Sequence, residues 1–301
     1  MEHSISKCPV CEAISWRLVF QEKIRDGLFG QYTTDDARIV ECESCLLQKL
    51  DFFVLTPEKY ESDEYRIKYN GTKEETDLLA LHDAEQANRL AVIGTKSLRN
   101  SIIIDIGCGH GAFLDSVKGL ASRTIGIEPF SDLHPSLVRR GHEVFSPLDE
   151  KIKTFRSSAD LVTSFGVIEH LEDPFGHLEL AWNLVKPGGR LILQTDNLNE
   201  ILFTTAAKNF KQFFYRTAHN WYFSPETLKK LAMRANLEGI KVSTIQEYGF
   251  LNFIQWQKEG KPTGNSGGDF LGSDFEAIWR SSVERTEQGS LIMLMATKDE
   301  A

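Results

Sequence analysis

The chain has 301 residues, 41% of them hydrophobic and 26% charged, with a mean hydropathy of −0.27, which excludes a fibrous or wholly disordered protein and suggests one large domain plus a smaller unit. A formal net charge of −9 disfavours general nucleic-acid binding, because no overall positive field exists to displace counterions from a phosphate backbone. No apolar run approaches the roughly 20 residues needed to span a bilayer.

The opening residues, MEHSISKCPV, carry no apolar signal core. Four of the five cysteines form two C-x-x-C pairs, a pattern that points to a metal site in a reducing cytoplasm rather than a disulfide framework. Cys8 and Cys11 precede an aromatic and β-branched run at 16–20, and a second short strand at 38–40 leads into Cys42 and Cys45. Tight turns that aim two sulfurs each at one ion build a zinc ribbon, and a zinc filled by four thiolates is structural. A thiol redox pair is the competing reading. Residues 1–55 are therefore expected to form a small zinc-ribbon unit, with the Gly- and Asp-rich stretch 26–36 as a loop between its strands.

Residues 56–98 read as a connector with three tyrosines, followed by a helix. Thr72 and Glu75 have the spacing of a capping box, and Leu78, Leu81, Leu90 and Ile93 supply helical spacing. From 99 to 301 strand-like runs alternate with helical stretches, the signature of an α/β, Rossmann-like, doubly wound and mostly parallel sheet. Seven strands are expected, at 102–106, 124–128, 143–145, 160–165, 190–195, 241–248 and 290–297. Ser224 and Pro225 should cap and open a helix running to about residue 236. The Gly-rich stretch 258–273 is expected to be a mobile insertion before a helix at 275–287.

The segment SIIIDIGCGHGAFL is the most informative. A buried strand ends at Ile106, and Gly107, Gly109 and Gly111 turn the chain into a helix. The spacing is G-x-G-x-G, not that of a dinucleotide loop, and Asp105 stands two residues before the first glycine. A carboxylate there disfavours a pyrophosphate and suits a ligand with a cationic amino group, such as S-adenosylmethionine; the alternative is a tight strand-to-helix turn with no ligand. Glu128 ends the next strand, at an offset suited to a ribose, and Asp149 follows the third strand, where it could meet an adenine amino group or simply be solvated.

These features, followed by SFGVIEHLEDP after the fourth strand and VKPGGR before the fifth, resemble the class I S-adenosylmethionine-dependent methyltransferases over roughly residues 75–297. The resemblance implies that Asp105 and the glycine loop hold the methionine part, that Glu128 holds the ribose, that Phe165 also belongs to the cofactor site, and that the segment after the fourth strand lines the methyl-transfer site. The four-cysteine unit, the connector around Tyr60, Ser62 and Tyr65, and the stretch HNWYFSPETL look like the zinc-containing branch that includes deoxysugar methyltransferases. This chain departs from that branch in having Arg216 and Ala218 where Tyr and Glu are expected, and no counterpart of the branch's extra C-terminal domain.

Methyl transfer is an in-line displacement, so positioning supplies most of the catalysis, and a base is needed only for a hydroxyl or carbon acid. His170 and His219 are the candidates for that base, with His219 preferred. Tyr65, Tyr69 and Tyr222 are candidate acceptor contacts. The aromatic run Phe203, Phe210, Phe213, Phe214 and Tyr215 reads as helix packing or a lid. The expected acceptor is a small polar molecule or glycan, a sugar methylated at oxygen more readily than at carbon. Methylation of a quinone-like or lipid precursor is the alternative, and a non-catalytic binding module using the ribbon is a third reading.

Overall fold

The computed structural model describes residues 7–54, 57–60, 62–147, 149–205, 209–263 and 271–300. Part of the Gly-rich insertion expected at 258–273, namely 264–270, lies outside the described residues, as do residues 1–6 and 55 of the N-terminal unit and residues 56 and 61 of the connector. The chain begins with β1 (Trp16–Glu22), β2 (Ala37–Cys42) and β3 (Gln48–Leu50), then α1 (Pro57–Tyr60), α2 (Asp63–Asn70) and α3 (Glu75–Ile93). An alternating run follows: β4 (Ile102–Ile106), α4 (Ala112–Val117), β5 (Arg123–Ile127), α5 (His134–Arg139), β6 (Glu143–Phe145), β7 (Ala159–Phe165), α6 (Pro174–Leu184) and β8 (Val185–Asp196). The last part comprises α7 (Ile201–Thr205), α8 (Asn209–Phe214), β9 (Trp221–Tyr222), α9 (Pro225–Arg234), β10 (Lys241–Ile245), α10 (Phe250–Glu259), α11 (Ser273–Arg285) and β11 (Leu291–Thr297).

The large sheet has seven strands in the order β10-β11-β8-β7-β4-β5-β6, and only β11 runs against its neighbours. Helices cover both faces of such a sheet, so β4, β7 and β8 are buried almost throughout and read as continuous apolar runs. The chain winds outward from β4 through β5 to β6, then returns to β7 and proceeds the other way. The reversal point between β4 and β7 opens a crevice at the carboxyl ends of these strands, where α/β folds bind ligands. The β8 strand is longer than expected: it begins at Val185 and absorbs the Pro-Gly-Gly of VKPGGR across a register shift opposite Ala159 and Leu161.

Two capping expectations had different outcomes. At α9 the box forms: the Ser224 hydroxyl accepts the Thr227 N–H, the Thr227 hydroxyl accepts the Ser224 N–H, and Pro225 opens the helix. At α3 it does not, because Glu74 is the N-cap and makes no side-chain cap, while Thr72 accepts the Glu74 N–H and donates to Asp77. Ser62 caps α2 instead, accepting the Tyr65 N–H at 3.3 Å.

The small sheet, ordered β1-β2-β3-β9, is antiparallel, and its last strand comes from far down the chain: Gln48 pairs with Tyr222 and Lys49 with Trp221. Behind it lies an apolar cluster in which Ile24, Ile39 and Leu50 meet Phe210, Phe214, Tyr215 and Trp256. Phe203, Phe210, Phe213, Phe214 and Tyr215 thus pack α7 and α8 against α10 and the small sheet, which is the packing reading of that run and not the lid. Among the described residues no helix is long and apolar enough to cross a membrane.

Candidate active site

The β4 strand delivers Asp105 to the crevice one residue before it ends. Gly107, Gly109 and Gly111 all take positive φ, at 73°, 51° and 81°. A Cβ on Gly107 would lie 2.4 Å from Val167 Cγ2, and one on Gly111 would lie 2.4 Å from Leu137 Cδ2, so packing within the protein fixes both. A Cβ on Gly109 would meet nothing within 4 Å, so the middle glycine alone presents bare backbone to open space.

Asp105 is 3% exposed and accepts the Thr163 hydroxyl at 2.7 Å. Burial pushes its carboxyl up to about 7 against the pull of that hydrogen bond, so it is poised to lose its proton to solvent when a cationic partner binds beside it. Glu128, just past β5, braces the loop: one carboxylate oxygen accepts the Gly109 N–H and the other the Phe130 N–H, both at 2.9 Å. Burial raises the Glu128 pKa, and the two N–H groups partly offset the rise. Phe165, at the end of β7, stands edge-on to Phe113 at 5.1 Å, with the Arg89 guanidinium 4.4 Å from its ring centre. Asp149 accepts the Lys151 N–H at 2.9 Å as the cap of the short turn Glu150–Phe155, the use a solvated loop Asp would have.

Across the crevice, the turn Ile168–His170 is stitched to residues 216–222. The Asn220 N–H donates to the Glu169 carbonyl at 2.7 Å, the Asn220 side chain to the His170 carbonyl at 2.6 Å, and the Trp221 indole to the Leu171 carbonyl at 2.7 Å. These bonds set His170 and His219 edge to face, ring centres 4.7 Å apart. His170 Nδ1 lies 2.6 Å from the Ala218 carbonyl; a carbonyl only accepts, so Nδ1 carries the hydrogen and Nε2 holds the lone pair. Burial drops the His170 pKa to about 4 and pulls that of His219 well below its usual value, with Arg216 adding to the effect on His219. Both rings are neutral near pH 7. His219 is 3% exposed, and its Nδ1 has no hydrogen-bond partner, lying 3.5 Å from Asp196.

The three tyrosines singled out in the sequence have different fates. Tyr65 stacks between Tyr60 and Tyr69, at 5.0 and 4.7 Å, and among the described residues its hydroxyl makes no hydrogen bond. The Tyr69 hydroxyl is engaged by Thr217 at 2.7 Å and Asp26 at 3.3 Å. Tyr222, 2% exposed, accepts the Arg216 N–H at 3.0 Å and donates to the Arg216 carbonyl at 3.1 Å, so its hydroxyl proton is committed to holding a turn. Three residues that the sequence reading passed over also belong here: Glu169, buried and pushed up to about 8; Arg66, 4.2 Å over the Phe130 ring; and Arg25. Only the placement of Glu169 beside His170 was visible in the chain. Donor atoms of Glu169, His170 and His219 lie within 4.8 Å of one another, a set able to hold a divalent cation.

The four cysteines converge. Cys8 and Cys45 lie 3.5 Å apart, as do Cys11 and Cys42, and all four sulfurs fall within 4.8 Å of one another as free thiols. A tetrahedral ion with metal–sulfur bonds near 2.3 Å requires sulfurs about 3.8 Å apart, so the cluster fits a metal and not two disulfides. The Cys45 thiol holds Cys8 down to about 5 while its own pKa is driven up, a conflict that a bound dication resolves by ionising all four.

A family model described as a methyltransferase domain matches residues 81–242, just over half of the chain. The chain is 29% identical over 169 residues to a ubiquinone biosynthesis O-methyltransferase of Ruegeria pomeroyi, covering 52% of this chain and 65% of that one. It is 26% identical over 165 residues to the mitochondrial ubiquinone biosynthesis O-methyltransferase of Homo sapiens, covering 50% of this chain and 44% of that one. The match thus spans less than two thirds of either relative. A solved S-adenosylmethionine-dependent methyltransferase from Archaeoglobus fulgidus aligns with a TM-score of 0.49 and 19% identity, over 78% of this chain and 98% of that one.

Proposed function

The chain belongs to the methyltransferase domain family, and from that premise we propose that it moves the methyl group of S-adenosylmethionine to a hydroxyl of a small aromatic acceptor. The observation that carries the reading is the bare face of Gly109, flanked by a carboxyl braced on the loop and another poised to ionise. When bound, S-adenosylmethionine supplies an electrophilic sulfonium methyl. Asp105 would hold the ligand's amino group, Glu128 the ribose hydroxyls, Asp149 the adenine edge with its uncommitted oxygen, and Phe165 the wall beside the methyl.

On the acceptor side Tyr65 offers a ring face and a free hydroxyl, and His170 Nε2 is the base that takes the acceptor's proton. His219, more deeply buried, fixes the His170 ring from the side. The named relatives favour a quinone-type precursor, and none of those cited here supports the sugar acceptor read from the ribbon-bearing branch. We assign zinc to Cys8, Cys11, Cys42 and Cys45 as a structural ion, with residues 1–55 as its unit.

Isothermal titration with S-adenosylhomocysteine tests the donor half, and a radiolabelled methyl assay on catechol-type quinone precursors against sugar nucleotides tests the acceptor half. Micromolar binding abolished by Glu128→Ala, with transfer to a catechol, is expected. Absence of binding by the metal-loaded protein would sink the reading.

A further inference from the structure

The acceptor side holds a feature that proton transfer does not use. Arg25 belongs to the cysteine-bearing N-terminal stretch, yet its backbone is locked onto the segment that carries His219. Its N–H donates to the Gln212 and Tyr215 carbonyls at 2.9 and 3.1 Å, its carbonyl accepts the Thr217 N–H at 3.0 Å, and it forms an isolated bridge with Arg216. The Arg25 guanidinium lies 4.2 Å over the Phe213 ring. Among the described residues it makes no ion pair and no hydrogen bond, and its Nε is buried without a partner. Arg216 pairs with Asp196, but its own Nε is likewise buried and unpartnered, while 27% of its side chain remains accessible.

Asp196 is therefore the ionic partner of Arg216, and among the described residues Arg25 has none. The other acids of the region, Glu169, Glu200 and Glu247, form no ion pair with either among the described residues, and burial pushes them up to about 8, about 8 and about 7. Burial, and then the neighbouring Arg216, lowers the Arg25 pKa to about 9, as expected of a cation short of one counter-charge. Guanidinium N–H donors left without a protein partner suit a planar or tetrahedral oxyanion.

Resting on the methyltransferase reading, we propose that the acceptor carries an anionic group, a carboxylate or a phosphoryl group, held between Arg25 and Arg216, so that the N-terminal unit contributes a specificity-determining side chain to the acceptor site. The acceptor hydroxyl is then presented to His170 from a fixed anchor.

The test uses the full metal-loaded chain, with and without saturating S-adenosylhomocysteine, titrated with inorganic phosphate and separately with benzoate at constant ionic strength. Millimolar binding of at least one anion is expected, weakened about tenfold or more in Arg25→Gln, while affinity for S-adenosylhomocysteine stays within about twofold. Phosphate binding alone identifies a phosphoryl group, and benzoate binding alone a carboxylate. Arg25→Lys, which keeps the charge, should restore most of the phosphate affinity and shows that a loss in Arg25→Gln is not misfolding. If neither anion binds, or if Arg25→Gln binds both as the wild type does, the proposal is overturned. Loss of S-adenosylhomocysteine binding in the wild type would instead overturn the methyltransferase reading, and the anion titration without it still decides the arginine pair.

Discussion

Asp105→Asn is expected to make the protein more stable and less able to bind its cofactor. In the folded chain Asp105 titrates near 7 instead of near 4, because burial opposes its charge more than the Thr163 hydroxyl favours it. Between those values the folded state holds a proton that the unfolded chain has already lost, so raising the pH through this window lowers stability. With about 1.4 kcal/mol per pKa unit, the wild-type penalty is about 1.5 kcal/mol at pH 5 and about 4 kcal/mol at pH 8. Asparagine cannot ionise, and its amide oxygen can still accept the Thr163 hydroxyl. The substitution should therefore stabilise the fold by about 2 to 3 kcal/mol more at pH 8 than at pH 5, read by urea unfolding at both values.

The same carboxyl accounts for a loss on the binding side. A charge-assisted hydrogen bond to an ammonium group is worth about 1.5 to 3 kcal/mol, so affinity for S-adenosylhomocysteine should fall by roughly 10- to 100-fold. Wild-type binding at pH 6 should also release close to one proton, detected by titration in two buffers of different ionisation enthalpy, and the variant should release clearly less. A variant that is destabilised equally at both pH values, or that binds with wild-type affinity, would refute the assignment of Asp105 as a carboxyl kept under strain for a cation.

Gly107→Ala and Gly109→Ala should separate folding from binding. The first meets Val167 in a left-handed backbone and should cost about 2 to 4 kcal/mol, whereas the second meets open space, should cost only about 1 kcal/mol and should weaken S-adenosylhomocysteine binding more than tenfold; equal binding by both would be a contrary result. His170→Gln should lower kcat by about 10² or more without changing cofactor affinity. Because the ring titrates near 4, the wild-type kcat at saturating substrates should show no inflection at 6.5 from this group, and an inflection there that His170→Gln removes would contradict its burial. Cys42→Ser should strip the metal, lower Tm by several degrees and reduce kcat/KM while leaving S-adenosylhomocysteine affinity nearly intact, as measured by metal analysis, calorimetry and titration. A parallel loss of cofactor affinity would mean that the ribbon supports the whole sheet.

The donor half of the site was legible because each of its parts is local. The IIIDI run is mostly apolar and so reads as an inner parallel strand; the three glycines follow it directly, and Glu128 comes just after the neighbouring strand, which pairs in parallel with β4. The expected strand at 124–128 and the observed β5 at Arg123–Ile127 differ by a single residue. The acceptor half gave no such signal. β9 is two residues long, too short for any alternation, and its partner strand β3 lies more than 170 positions earlier in the chain. The hydroxyl of Tyr222, a candidate acceptor contact, closes on Arg216, six residues away, a turn that no periodicity reports. Thr72 and Glu75 matched a capping pattern, but the helix began where Glu74 could take extended backbone, and the threonine became a side bond to Asp77.

That division has a physical consequence for where specificity resides. The crevice at the β4–β7 reversal follows from winding a parallel sheet in two directions, and this chain furnishes it with a glycine loop, Asp105 and Glu128, all close together in sequence. The opposite wall is assembled from the cysteine unit, the tyrosine connector and residues 216–222, and each meets the others only after long stretches of chain are closed. Closing those loops costs entropy that local propensity does not offset, so the wall depends on the cross-bonds that hold it: Lys49 to Trp221 in the small sheet, Arg234 to the Pro9 carbonyl and Glu12, and Thr217 to Arg25. Substitutions in these contacts can reshape the acceptor pocket while leaving the sheet and its donor site as they are. A metal held by Cys8, Cys11, Cys42 and Cys45 would fix the first of the three segments, and its removal is expected to change which acceptor is taken more than whether the donor binds, as read by comparing acceptor kcat/KM with S-adenosylhomocysteine affinity before and after chelation.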